Sequence, residues 1–443
     1  MKFVKSEFTR NVLTLMTGTT IAQAIPIAIS PILTRIYTPE DFGVFALFVS
    51  ITSILGSIAN GRYELAIMLP KKDEDAINIV ALGIIITVIF SFLVFLVILI
   101  FHNQIVNVLN NKEISTWLYF IPLVVLLTGL YNVLNYWNNR KKYYKELANS
   151  LIIKSIVLAI VQLSIGFIKQ GAGGLVIGQI LSNMFANIFL LKKLTKYKLL
   201  IFKISKIKMI ALAKRYKDFP KFSMWSGLFN IASIQIPILI LTAFFSTTIV
   251  GFYALSHRFI SMPMSFIGSS IGQVFYQKSA EVKNDKQRLS ELTFNTYKKL
   301  FLIGIVPFSI ITVFGDYLFA FVFGNDWVIA GEYAQVLAIW ILFVFITSPL
   351  TTLFSTLEKQ KKALYFNIAI FLSRVIVLLF GGLILQDAYY TILIYGIVGA
   401  LFWMFLGFYL LNMVGVKIRQ SFSFTFRYLS LSIVLFSILR IYT

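Results

Sequence analysis

The chain has 443 residues, of which 58% are hydrophobic and 13% are charged, and its mean hydropathy is +0.84. This composition excludes an ordinary soluble domain and is typical of a polytopic helical membrane protein. The 40 basic and 18 acidic residues give a net charge of +22, which in a soluble chain would suggest a nucleic-acid partner. Because cysteine is absent, the chain has neither a disulfide framework nor a thiolate metal site.

Apolar runs long enough to cross a bilayer alternate with polar segments along the chain. The first run continues past Ala22-Gln23-Ala24, so we predict an uncleaved helix rather than a signal peptide. We predict 12 spans: Val12–Tyr37, Phe42–Leu69, Ala76–Phe101, Thr116–Trp137, Leu147–Ile168, Leu175–Leu191, Phe222–Phe245, Val250–Tyr276, Lys299–Phe314, Val328–Leu357, Ala363–Leu385 and Tyr389–Met413. A last apolar segment, Phe426–Ile441, either spans as a thirteenth helix or lies in the interface.

Basic residues are concentrated on one side of the predicted membrane. Alternate loops, beginning with the N-terminus, hold 32 lysines and arginines, whereas the intervening loops hold only Lys112 and Lys169. By the positive-inside rule, this asymmetry predicts a cytoplasmic N-terminus. It also explains nearly all of the excess charge without nucleic acid, and it leaves the lipid bilayer as the expected surroundings of the chain.

The two halves of the chain resemble each other. A shift of 208 positions pairs Thr34 with Thr242, Gly43 with Gly251, Phe45 with Tyr253, Ala46 with Ala254 and Leu47 with Leu255. Because this shift crosses six spans, the repeats have the same orientation, which predicts two six-helix lobes related by a pseudo-twofold axis along the membrane normal. The predicted parts are an N-terminal lobe (1–191), a basic cytoplasmic linker (192–221), a C-terminal lobe (222–413) and a hydrophobic C-terminal segment (414–443).

Predicted helix 2 carries a polar stripe and two charges. The spacing of 3, 4, 3 and 4 places five polar residues on one face: Ser50, Ser53, Ser57, Asn60 and Glu64. In a straight helix Arg62 lies about 160° from this stripe. Arg62 must therefore turn to another helix, or helix 2 must bend near Gly61. A matching stripe on helix 7 includes Asn230, and both stripes either line a cleft or form interhelical hydrogen bonds.

Cations also lie deep in other predicted spans. Arg258 and Arg374 are candidate site residues or members of structural ion pairs, and Lys154 either contributes to the site or extends to the cytoplasmic surface. This excess of cations predicts an anionic substrate, since arginine forks bind phosphate oxygens. The candidate substrate-binding residues are Arg62, Arg258, Arg374, Lys154, Asn60 and Asn230.

Glu64 is the candidate ion-coupling residue, because a lone buried carboxylate is a common site for a transported proton or cation. No phosphate-binding loop, HExxH or GxSxG motif is present, and there is no Cys/His cluster. We therefore predict a protein that is not an enzyme, with no metal site and no cofactor beyond a coupling Na⁺ or H⁺.

Two segments carry a family resemblance. Arg62-Tyr63-Glu64-Leu65-Ala66-Ile67-Met68-Leu69-Pro70 resembles the helix 2 signature of bacterial oligosaccharide flippases. The second segment resembles the helix 8 signature of the same flippases, and the matching residues are Gly251-Phe252-Tyr253-Ala254-Leu255, Arg258, Pro263 and Gln273-Val274-Phe275-Tyr276-Gln277. These flippases are the Wzx-type branch of the multidrug/oligosaccharidyl-lipid/polysaccharide exporter superfamily, and the resemblance extends from Phe8 to about Met413.

The resemblance implies translocation of undecaprenyl-diphosphate-linked oligosaccharide repeat units across the bacterial inner membrane, for O-antigen (lipopolysaccharide) or capsule. It implies two helical bundles that rock about a cationic cavity, and a polysaccharide polymerase and chain-length regulator as partners. Three alternatives remain: a drug/cation antiporter, a lipid II flippase, which usually has 14 spans, and a membrane glycan polymerase. Three cavity arginines disfavour a cationic drug, and neither histidine of the chain has acid-base partners nearby in sequence, as a polymerase would require.

Overall fold

A computed structural model describes residues 7–168, 171–194, 198–264 and 268–442. Every regular element within these ranges is helical. Twelve segments are long and apolar enough to span a membrane: Thr14–Ile36, Pro39–Gly56, Asp73–Val108, Ile114–Arg140, Tyr144–Ile168, Gly173–Leu194, Phe219–Phe244, Lys286–Phe323, Asn325–Thr356, Gln360–Leu385, Ala388–Met413 and Ile418–Ile441. The predicted all-α membrane class with about 12 spans is confirmed.

The chain divides into two compact units, and the first is Met1–Ala243. Its helices are α1 (Glu7–Ile36), α2 (Pro39–Gly56), α3 (Tyr63–Ala66), α4 (Asp73–Val108), α5 (Ile114–Leu118), α6 (Ile121–Arg140), α7 (Tyr144–Ile168), α8 (Gly173–Leu194), α9 (Lys198–Ile201), α10 (Lys206–Arg215) and α11 (Met224–Phe244), whose last residue begins the second unit.

The second unit is Phe244–Thr443. Its helices are α12 (Thr247–Ile260), α13 (Ser269–Glu281), α14 (Lys286–Phe323), α15 (Val328–Thr347), α16 (Leu353–Thr356), α17 (Gln360–Phe380), α18 (Ala388–Met413) and α19 (Ile418–Tyr442). Helix α15 is the most buried of the candidate spans and packs against both α14 and α18.

Side-chain caps stabilise the first turns of several helices. The Thr38 side chain accepts a hydrogen bond from the Asp41 backbone N–H, and the Asp41 carboxylate accepts one from the Thr38 backbone, a complete capping box. Pro39 occupies the first turn, where its missing N–H costs nothing. Asp285 and Asp387 cap α14 and α18, since each side chain accepts a hydrogen bond from the backbone N–H three residues later. The boundary between the first two helices lies at this capping box, close to the predicted end of the first span at Tyr37.

The first unit has two hydrophobic clusters. One joins α2, α6 and α8 and contains Phe48, Val125 and Val176. The other surrounds the short helix α3 and includes Tyr63 together with the fully buried Trp137 of α6. This second cluster fixes α3 against α4 and α6, so the residues beside it have a defined position.

The structure has two shorter helices where the sequence predicted helix 8 as one span. The segment Val250–Tyr276 is covered by α12 and α13, and neither reaches the length of a candidate span. Residues 265–267 between them lie outside the described ranges. The total remains twelve because α19, which contains the ambiguous segment 426–441, is a single helix long and apolar enough to span.

The compact units divide at a different place from the predicted lobes. The division follows Ala243, whereas the prediction separates the lobes at the basic segment 192–221. Helix α11 belongs to the first unit and contacts α2 and the residues that follow it. The Ser50 hydroxyl of α2 donates to the Gln235 carbonyl, and the Arg62 guanidinium lies against Gly227. The pseudo-twofold relation between lobes stays a prediction.

Candidate functional site

The second span is broken at the position of its two charges. Helix α2 ends at Gly56, and residues 57–62 form turns before α3 begins at Tyr63. Gly61 and Arg62 both have left-handed backbone conformations, with φ of 57° and 62°. Glycine adopts this conformation freely, but for arginine it costs about 1–2 kcal/mol. Such a strained residue next to a charged pair is typical of a functional site.

The break brings Arg62 and Glu64 together. Arg62 Nη1 lies 3.7 Å from Glu64 Oε1, and the Glu64 side chain is only 3% exposed. The straight-helix prediction, which placed the two charges on nearly opposite faces, is therefore wrong. The alternative, a bend near Gly61, is confirmed.

The pair leaves hydrogen-bonding capacity unused. Arg62 Nε and Glu64 Oε2 are both buried, and neither has a hydrogen-bond partner among the described residues. At 3.7 Å the single contact between the side chains is an ion pair without a hydrogen bond. A buried donor and a buried acceptor are thus available to an anionic group and to a proton or cation respectively.

Neighbouring helices hold this pair in place. The Arg62 guanidinium lies against Gly227 of α11, where a Cβ would fall 2.0 Å from Nη2. Tyr136 of α6 lies within electrostatic reach of both charges. On the side of α3 that leads into α4, Arg140 donates from Nη1 to the Ile67 carbonyl at 3.1 Å and from Nε to Asp73 at 3.0 Å.

Two residues of the helix 2 polar stripe bond within the bundle. Asn60 is 2% exposed, and its amide donates to Thr87 Oγ1 at 2.7 Å and to the Gly129 carbonyl at 2.9 Å. Ser50 is fully buried and donates to the Gln235 carbonyl of α11 at 3.2 Å. At these two positions the polar side chains form hydrogen bonds to other helices, which is one of the two alternatives predicted for the stripe. Asn60 has no free donor for a substrate, so we leave it out of the site proposed below.

Replacing Asn60 with alanine is expected to lower the free energy of unfolding by about 1–3 kcal/mol, because it removes two buried hydrogen bonds. Transport per folded molecule should stay near the wild-type value. Thermal unfolding in detergent and a transport assay normalised to folded protein measure the two effects. The matched control is Asn230→Ala, since Asn230 is exposed on α11 and should leave stability unchanged. An Asn60 variant with normal stability and lost transport would contradict this assignment.

Lys154 of α7 lies in a polar patch of the first unit. Its ammonium is 5.4 Å from the centre of the Tyr131 ring on α6, a cation–π distance. The Tyr131 hydroxyl lies 3.4 Å from Ser150 Oγ. Lys154 is partly buried, and no carboxylate lies within ion-pair distance of it among the described residues. It therefore remains a cation that an anionic group could use.

The second unit has its own cationic site, which is rich in aromatic rings. The Arg374 guanidinium carbon of α17 lies 5.6 Å from the centre of the Trp340 ring of α15. A small cavity of about 10 Å³ is lined by both residues together with Tyr395 and Trp403 of α18. The indole nitrogens of Trp340 and Trp403 are buried without a hydrogen-bond partner among the described residues. Three donor groups around a cavity about the size of one water molecule favour a single acceptor oxygen there.

Arg258 of α12 is exposed, whereas the neighbouring His257 packs among aromatic rings. The His257 ring stacks 5.7 Å from Tyr253 and lies 5.8 Å from Trp340. Arg258 is thus available to a ligand, and His257 contributes to packing.

The sequence did not identify Gly227, Tyr136, Trp340 or Trp403 as part of these sites. The three aromatic residues carry no local motif, and their position follows only from helix packing. The closeness of Gly227 to Arg62 could not be anticipated, because 165 positions separate them in the chain.

Comparison with known proteins identifies a family model and a relative that the chain matches. A family model described as polysaccharide biosynthesis protein matches residues 32–332. The succinoglycan biosynthesis transport protein ExoT of Rhizobium meliloti (strain 1021) is 22% identical over 315 residues, which are 70% of this chain. The match spans 61% of the length of that relative.

Two solved structures share the fold. An inward-facing multidrug resistance MATE family transporter of the MOP superfamily has a TM-score of 0.67 at 15% identity, covering 90% of this chain and 95% of its own. The lipid II flippase MurJ in an inward closed conformation has a TM-score of 0.68 at 13% identity, covering 96% of this chain and 92% of its own. At this identity the likeness concerns the fold.

Proposed function

Because the chain belongs to the polysaccharide biosynthesis protein family, we propose that it is a flippase, which moves a lipid-linked oligosaccharide between the two leaflets of a membrane. The twelve candidate spans and the fold shared with a lipid II flippase and a multidrug transporter support a transporter. The name of the Rhizobium relative, a transport protein of succinoglycan biosynthesis, supports a polysaccharide precursor as its cargo.

The proposed substrate is an undecaprenyl-diphosphate-linked repeat unit for O-antigen or capsular polysaccharide. The observation that carries this proposal is the broken second span, where a buried guanidinium donor of Arg62 without a hydrogen-bond partner among the described residues lies beside a buried carboxylate. A diphosphate offers several acceptor oxygens, and arginine can donate to two of them at once. The candidate cations for this chemistry are Arg62 and Lys154 in the first unit, and Arg258 and Arg374 in the second.

The proposed sugar contacts are polar groups outside the buried hydrogen-bond pairs. Asn230 and Ser226 are exposed on the same face of α11, four residues apart. Hydroxyl and amide groups exchange hydrogen bonds readily with sugar hydroxyls. Trp340 and Trp403 would add buried N–H donors in the second unit.

Glu64 is the proposed coupling residue for Na⁺ or H⁺. Its Oε2 is buried without a hydrogen-bond partner, so a proton or a cation would satisfy it at little structural cost. Because the Arg62 contact lies at Oε1, a Na⁺ could bind at the second oxygen while that contact stays in place, whereas a proton there would neutralise the carboxylate and weaken the ion pair. The transport step would then be cation-coupled alternating access.

The proposed setting is the bacterial inner membrane, with the N-terminus in the cytoplasm, as the distribution of basic residues favours. The lipid-linked product would pass to a polysaccharide polymerase and its chain-length regulator. No nucleic-acid partner is needed to explain the charge.

A complementation experiment tests the function. In a strain that lacks its own repeat-unit flippase, the wild-type chain is expected to restore surface polysaccharide, whereas Arg258→Ala and Arg374→Ala should reduce it at least tenfold. This magnitude corresponds to about 1.5–3 kcal/mol for each charge-assisted hydrogen bond. Arg419→Ala is the matched control, because Arg419 is exposed at the start of α19. Normal surface polysaccharide in both site variants would overturn the proposed diphosphate contacts, and drug resistance without restored polysaccharide would favour an antiporter.

A further inference from the structure

A groove in the first unit lies between α10 and α4. One side is a single face of α10 that continues to Lys217, two residues past its end, and it is formed by Lys206, Met209, Ile210, Ala213, Lys214 and Lys217. These positions recur at intervals of three and four residues, the repeat of one helical face. The other side is formed by Leu82 and Ile85 of α4. The groove has a volume of about 630 Å³, within the range of ligand-binding clefts.

The α4 side of the groove lies at the depth of the lipid acyl chains. Leu82 and Ile85 lie 9 and 12 residues after Asp73, the first residue of α4, or about 14 and 18 Å along the helix axis. The predicted cytoplasmic loop 70–75 immediately precedes α4. The headgroup layer of one leaflet is only about 5–8 Å thick, so these side chains reach into the acyl chains.

The segment that carries α10 is amphipathic in a manner that suits a membrane surface. Ile207 of α10 is 81% exposed, and Phe202 just before it is 85% exposed. On the opposite side of α10, Leu212 is buried in the hydrophobic cluster around α3, and the Tyr63 hydroxyl donates to the Ala213 carbonyl at 3.1 Å. The helix is therefore anchored to the protein while large apolar side chains remain uncovered, as in interfacial helices.

The lysines of this segment fall into two groups. Lys203 and Lys208 are paired with Glu74 of α4, Lys208 at 3.5 Å. Lys206, Lys214 and Lys217, which line the groove, have no carboxylate within ion-pair distance among the described residues. The three groove lysines thus present uncompensated positive charge at the edges of an apolar surface.

We propose that this groove binds one anionic phospholipid, with its acyl chains against Leu82, Ile85 and Ile210 and its anionic headgroup in the field of Lys206, Lys214 and Lys217. Charge complementarity identifies the occupant, because a zwitterionic lipid would gain little from three unpaired lysines, whereas an anionic headgroup gains from each. This lipid is a bound component of the membrane rather than the transported substrate. The proposal therefore does not rest on the proposed function.

Native mass spectrometry of the purified full-length protein in detergent tests this site. The protein is titrated with phosphatidylglycerol or with phosphatidylcholine of the same acyl chains. The first phosphatidylglycerol is expected to bind at least tenfold more tightly than phosphatidylcholine. The variant K206Q/K214Q/K217Q should lose this preference, with binding weakened roughly a hundredfold, since each lysine near an anionic surface contributes about a factor of five.

Two controls make the result specific. Lys208→Gln removes a lysine of the same helix that is already paired with Glu74, and it should bind phosphatidylglycerol within about threefold of the wild type. K206R/K214R/K217R keeps the charges and should bind like the wild type. The proposal is overturned if the triple glutamine variant keeps its preference, if Lys208→Gln loses as much, or if phosphatidylcholine binds equally well.

Discussion

Replacing Arg62 with alanine is expected to lower transport of a lipid-linked oligosaccharide roughly 10- to 150-fold, the value of one charge-assisted hydrogen bond. The left-handed turn at Gly61 and Arg62 positions the guanidinium against Gly227, and Nε is buried without a partner among the described residues. A diphosphate oxygen is the acceptor that we expect there. The measurement is the initial translocation rate in proteoliposomes, divided by the amount of folded protein.

The alanine variant also leaves Glu64 without its cation, so a second variant separates binding from folding. Arg62→Lys keeps a positive charge for Glu64 but loses the planar fork that donates to two oxygens. It should unfold at nearly the wild-type temperature and still transport several-fold more slowly. Arg35→Ala is the control, because Arg35 Nη1 donates to the Pro31 carbonyl of its own helix. Wild-type rates for both Arg62 variants would refute a contact with substrate.

Replacing Glu64 with glutamine is expected to remove the dependence of transport on a proton or sodium gradient. The amide has nearly the same shape, but it carries no charge for a cation and does not bind a proton in the physiological range. With a gradient applied, the rate should fall to the rate that the wild type shows without one. Translocation measured in proteoliposomes with and without each gradient tests this result.

Glu146→Gln is the matched control for the coupling residue. Glu146 also lies in the first unit and also has a basic partner, since Lys193 Nζ is 2.6 Å from its Oε1. Its loss should leave the gradient dependence intact. If Glu64→Gln responds to both gradients as the wild type does, the coupling ion binds elsewhere in the protein.

Hydropathy and charge predicted the class and eleven of the twelve candidate spans, because these depend on local composition; the exception was Val250–Tyr276, which two shorter helices cover. Helical periodicity was less informative at Arg62 and Glu64, since it assumes a continuous helix. The left-handed φ values of Gly61 and Arg62 rotate the second charge back toward the first. Gly61 was the only signal of this break in the sequence.

The polar stripe on helix 2 shows a second limit of periodicity. It placed Ser50 and Asn60 correctly on a polar face, but it does not state which neighbour covers that face. Gly129, 69 positions from Asn60, and Gln235, 185 positions from Ser50, provide the hydrogen-bonding carbonyls. Contacts over such separations also assign α11 to the first compact unit, which the basic segment 192–221 did not suggest.

The most direct test of the proposed function is translocation of a fluorescent undecaprenyl-diphosphate oligosaccharide by purified protein in proteoliposomes, with quencher added outside. We predict that the wild-type protein moves the lipid between leaflets, so that the protected fraction of the fluorescence decays, and that Arg62→Ala slows this decay at least tenfold. A wild-type protein that leaves the protected fraction unchanged while it exports a cationic dye under the same gradients would contradict the flippase assignment.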